Sequence, residues 1–97
     1  MRNLENILGE LRHLRPDLEK RYPVRGLGVF GSYAKGCQTP SSDLDVLVDL
    51  GDGIGLIGFA GLQQDLSDAL GLKVDLVDRE ALKPAIGKRI MAEVIMA

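Results

Sequence analysis

Ninety-seven residues, 45% hydrophobic and 27% charged, confine the chain to one small domain, residues 1–97, with a modest core and no second lobe to carry a bulky acceptor. Twelve basic against fourteen acidic side chains, a formal charge of −2, exclude a broad electrostatic platform for nucleic acid, and the longest apolar stretches are too short to span a bilayer. The amino terminus shows no export pattern and the lone Cys37 has no disulfide partner, so a cytoplasmic location is expected.

Leu4, Ile7, Leu8, Leu11, Leu14 and Leu18 recur at helical spacing and predict an amphipathic first helix, with a restart allowed at Pro16 and a stop at Tyr22-Pro23. His13 falls off that stripe and has no ligand partner nearby, which marks an ordinary surface histidine. Arg12, Arg15, Lys20, Arg21 and Arg25, and later Lys83, Lys88 and Arg89, read as solvated faces. Arg25 to Phe30 predicts a short strand closed by Gly31, followed by a helical turn through Ser32-Tyr33-Ala34-Lys35 and a loop over Gly36–Ser42. Cys37, in that loop, reads as an incidental exposed thiol.

Asp43 to Leu50 predicts a second strand. After the glycine-rich turn, Leu56, Phe59, Leu62, Leu66 and Leu70 mark the apolar face of a helix ended by Gly71, and Lys73 to Asp78 gives a third strand. Leu82, Ile86, Ile90 and Val94 predict the inner face of a last helix that starts near Pro84. The helix between strands two and three makes that pair parallel, whereas the short link between strands one and two favours an antiparallel pair. The expected class is α/β, in the α+β sense: a small mixed sheet of at least three strands flanked by helices.

Side chains alternate across a strand, so Asp43 and Asp45 share one face, their α-carbons about 7 Å apart, while Leu44, Val46 and Val48 point to the core. Asp75, between Val74 and Leu76 on the parallel strand, can join them. Three carboxylates on one face repel, and an oxygen-only set without His or Cys suits a hard divalent ion such as Mg²⁺ or Mn²⁺. A lone Asp-x-Asp also caps turns or lines wet strands, and Gly-Ser is a common turn dipeptide. Placement is what gives them weight: Gly31-Ser32 stands where a strand ends and a helical turn begins, beside the carboxylates, with the Ser32 hydroxyl and Lys35 at hand for phosphate.

Val29-Phe30-Gly31-Ser32, ten intervening residues and Asp43-Leu44-Asp45 resemble the signature of the DNA polymerase β-type nucleotidyltransferase superfamily. Gly31 to Gly36, Ser42 to Val48, Val74 to Val77 and Leu82-Lys83-Pro84 resemble the minimal nucleotidyltransferases, over nearly the whole chain. The resemblance implies a polymerase β-type core in which Gly31 and Ser32, with Lys35 and Ser42 beside them, hold the nucleotide phosphates. It likewise implies that Asp43, Asp45 and Asp75 are catalytic and bind two Mg²⁺ ions. In that family the short domain is usually the antitoxin of a toxin-antitoxin pair and transfers AMP from ATP to a tyrosine of a HEPN-family ribonuclease toxin. The small size makes the same demand independently, since a protein partner has to bring the acceptor.

Two rival readings remain open on sequence. Gly53-Ile54-Gly55-Leu56-Ile57-Gly58 fits a dinucleotide-binding fingerprint, although a strand beginning Asp43-Leu44-Asp45 and ending Val48-Asp49 is a poor Rossmann first strand. A non-catalytic antitoxin, acting by binding alone, would keep the fold without the chemistry.

Overall fold

The structure, a computed structural model, describes residues 2–97. In chain order it comprises α1 (Leu4–Arg21), β1 (Val24–Phe30), α2 (Ser32–Lys35), β2 (Leu44–Leu50), α3 (Leu56–Leu70), β3 (Val74–Asp78), a 3-10 turn (Arg79–Ala81), α4 (Pro84–Glu93) and β4 (Ile95–Met96). The sheet order is β3-β2-β1-β4, with β2 and β3 parallel and β1 antiparallel to both β2 and β4. The mixed sheet expected from sequence is therefore present, with a fourth strand that sequence did not predict.

Local chemistry explains the boundaries. Asn3 and Asn6 cap α1 reciprocally, the Asn3 side chain accepting from the Asn6 N–H at 2.9 Å. The helix runs through Pro16 without restarting, because that residue lies on the exposed side, where the Arg12 carbonyl that loses its N–H donor can be hydrated. Gly36 and Gly71 end α2 and α3 in the left-handed conformation. Gly53, at φ 95°, makes the turn before α3, and a Cβ on Gly58 would come within 2.9 Å of the Ile54 side chain. The glycines of this stretch thus serve a turn and close packing.

Ile7, Leu8, Leu11 and Leu18 of α1 and Leu62, Leu66 and Leu70 of α3 bury one sheet face with Leu27, Val29, Leu44, Val46, Val48, Val74 and Leu76. Among the described residues none that is polar or charged is buried. Of the basic residues near the amino terminus, Arg15 pairs with Glu19 at 3.0 Å and Arg21 with Asp17 at 3.1 Å and Asp65 at 2.8 Å, while Arg12, Lys20 and Arg25 are exposed. His13 and Cys37 are exposed, and among the described residues no helix is long and apolar enough to cross a membrane.

Two expected apolar faces differ from the prediction. Leu56, in the first turn of α3, is 86% exposed, and full burial of that face begins only at Leu62. In α4 no residue is buried and Ile86 is 51% exposed, with Leu82, Ile90 and Val94 only half-buried. The periodicity marks a helix, but α4 contributes no residue to the main core.

Candidate active site

The strand register decides which side chains meet. Phe30, the last residue of β1, pairs with Asp45, and Asp45 pairs with Asp75 across the parallel ladder. Cross-strand partners share a face, so both carboxylates stand on the side opposite the α1–α3 core. Asp43 precedes β2 by one residue and is exposed, its Oδ2 3.8 Å from Nζ of Lys73. Burial above all, and then the charges of Asp75, Asp43 and Glu93, hold the Asp45 carboxyl above its ordinary value.

The chain leaves β1 at Gly31 with φ 73°, a conformation that L side chains seldom adopt, and enters α2 at Ser32. A Cβ at Gly31 would overlap Oδ2 of Asp45, so glycine is needed both for the backbone turn and for the approach of the aspartate. Gly31, Ser32 and Lys35 lie together on this turn, beside Asp45. Ser42 is engaged differently. Its hydroxyl accepts from the Thr39 N–H at 2.9 Å and so braces the loop that leads into Asp43.

Glu93 was missed by the sequence reading. Its Oε1 accepts from the Gly31 N–H at 3.2 Å, and its Oε2 lies 3.4 Å from Nζ of Lys35. A signal existed: Ile86, Ile90 and Glu93 stand at i, i+4 and i+7, which places an acid on the apolar stripe of α4.

The donors facing this side are carboxylate oxygens, and after burial it is the charges of Asp75, Asp43 and Glu93 that raise the proton affinity of Asp45, which fits a hard divalent cation and not a thiophilic one. Among the described residues, no three His, Cys, Asp or Glu side chains converge into a ready metal cage. The ledge is open. A cleft of about 560 Å³ lies elsewhere, between α1 and Ala69, lined by Glu5, Gly9 and His13.

Known proteins resemble the chain over nearly its whole length. Residues 11–96 fit the model of the nucleotidyltransferase domain. The chain belongs to the nucleotidyltransferase family. Within it, the chain is 41% identical over 95 residues to the protein adenylyltransferase MntA of Thermococcus cleftensis, covering 98% of this chain and 96% of that one. It is 32% identical over 91 residues to the MntA of Shewanella oneidensis, covering 94% of this chain and 61% of that protein. Among solved structures, one provisionally assigned as a minimal nucleotidyltransferase superposes with a TM-score of 0.81 at 32% identity, covering 97% of this chain and 95% of that one. A toxin-antitoxin structure with AMP-PNP superposes with a TM-score of 0.75 at 27% identity, covering 91% of this chain and 69% of that one. Membership of the minimal nucleotidyltransferases sets the dinucleotide reading of Gly53–Gly58 aside.

Proposed function

We propose that this nucleotidyltransferase is a protein adenylyltransferase antitoxin, which moves AMP from ATP to a tyrosine hydroxyl of a partner HEPN-family ribonuclease toxin. The observation that carries the reading is the register of Asp45 with Asp75 directly beside the Phe30-Gly31 turn. Relatives named as protein adenylyltransferases and a similar toxin-antitoxin structure with AMP-PNP support the acceptor class and the nucleotide. The open ledge supports it too, because a second protein has room to bring its hydroxyl.

In this reading Asp43, Asp45 and Asp75 hold Mg²⁺, as two ions, with Mn²⁺ able to substitute. When bound, the metal lowers the pKa of the acceptor hydroxyl and neutralises charge on the leaving pyrophosphate. The chain's own work is to position and screen. The Gly31 turn brings backbone close to phosphate, the Ser32 hydroxyl adds a donor, Lys35 offsets phosphate charge, and Ser42 fixes the loop that presents Asp43. The hydroxyl oxygen bonds to the α-phosphorus, the bond from that phosphorus to the pyrophosphate oxygen breaks, and the hydroxyl proton passes to solvent.

Intact-mass analysis of the partner after incubation with this chain, Mg²⁺ and ATP tests the reading. Wild type adds whole AMP units and the Asp43→Asn, Asp45→Asn double variant adds none. A partner neutralised at unchanged mass would point to the alternative, an antitoxin that acts by binding alone.

A further inference from the structure

The two groups assigned above to phosphate already hold an anion. The Glu93 carboxylate takes the Gly31 N–H on one oxygen and faces the Lys35 ammonium with the other, at 3.2 and 3.4 Å. Its position is set by the chain on both sides. α4 ends at Glu93, and the next residues lie along β1, Ile95 opposite Val29 and Met96 opposite Gly28, with the Ala97 N–H donating to the Leu27 carbonyl at 2.8 Å. Gly28 admits this strap: a Cβ there would lie 2.7 Å from both Val94 Cγ2 and Met96 Sδ. Glu93 is therefore delivered to the turn by α4 and β4 together, and it is only partly exposed.

We propose that Glu93 is an internal stand-in for a phosphate, which occupies the Gly31 amide and the Lys35 ammonium until a nucleoside triphosphate displaces it. The proposal rests on the reading of Gly31 and Lys35 as nucleotide contacts. A carboxylate and a phosphate oxygen accept from the same donors, one N–H does not serve two in-line acceptors, and two anions in one cradle repel. Occupation by Glu93 keeps the positive-φ turn braced and its amide bonded while no nucleotide is present. The cost is competition. Nucleotide entry has to lift the end of α4, so the seating of the Val94–Ala97 strap, with its exposed Ile95 and Met96, reports on occupancy of the site.

Calorimetric titration of the full chain with Mg·ATP, together with amide NMR, tests this. Glu93→Gln is expected to bind about five- to tenfold more tightly, the net scale of one ordinary hydrogen bond taken from the competitor. Glu93→Asp, which keeps the charge but is one methylene too short to span both donors, is expected to bind more tightly as well, which simple charge removal does not predict. In wild type, nucleotide should shift the Gly31 and Ser32 amides and those of Val94 to Ala97. In nucleotide-free Glu93→Gln, the Gly31 amide should already differ from that of wild type. Equal or weaker binding by Glu93→Gln, or a Glu93→Asp variant that binds like wild type, overturns the stand-in while leaving the nucleotide site intact. If Mg·ATP moves neither Gly31 nor Ser32 in wild type, the nucleotide reading falls and the stand-in falls with it.

Discussion

Gly31 and Asp45 are one unit. An alanine at 31 has to adopt φ 73° and push its methyl group into the space held by Oδ2 of Asp45. Gly31→Ala is expected to cost about 1–3 kcal/mol from the backbone alone and to lower AMP transfer by at least about tenfold, measured by chemical denaturation and by partner mass. Asp45 gives a prediction of opposite sign for stability. Its folded pKa is raised, first by burial and then by Asp75, Asp43 and Glu93, so between the unfolded and folded values the native state binds more protons than the unfolded one. Stability therefore falls as pH rises through that window, and the penalty is complete above the folded pKa. Asp45→Asn should stabilise the metal-free chain at neutral pH and flatten its stability profile in urea melts between about pH 4 and pH 8, the range above ordinary carboxylate values. An Asn variant less stable than wild type at neutral pH would contradict the assigned cause.

Among the elements, what the sequence disclosed follows what each had to bury. α1, α3 and the three long strands were legible because their apolar residues repeat at periods set by a shared core, and the Asp45–Asp75 pairing follows from alternation once β2 and β3 are parallel. β4 was not legible: two residues held on an edge by Gly28 and the Leu27 carbonyl leave no periodic trace. The face of α4 was misread because a stripe predicts a helix without naming the surface that covers it. The same distinction predicts unequal costs. Leu66→Ala, which empties a fully buried position of α3, should lose about 2–5 kcal/mol, whereas Ile86→Ala on α4 should stay within about 0.5 kcal/mol, both read as shifts in denaturation midpoint. Equal losses would place α4 inside the cooperative core.

At the scale of the whole molecule, the sheet has two unlike faces. One is sealed by α1 and α3; the other carries Phe30, Asp45 and Asp75 in a row beside the Gly31 turn, with Phe30 buried and both carboxylates within reach of solvent. The central claim is that Asp43, Asp45 and Asp75 share a divalent cation next to a triphosphate held at Gly31-Ser32. Anomalous diffraction from crystals soaked with Mn²⁺ and a non-hydrolysable ATP analogue tests it most directly. The prediction is manganese density bridging those three carboxylates and the phosphates, with the triphosphate along the Gly31-Ser32 backbone; manganese and nucleotide bound elsewhere, with the three aspartates untouched, would contradict it.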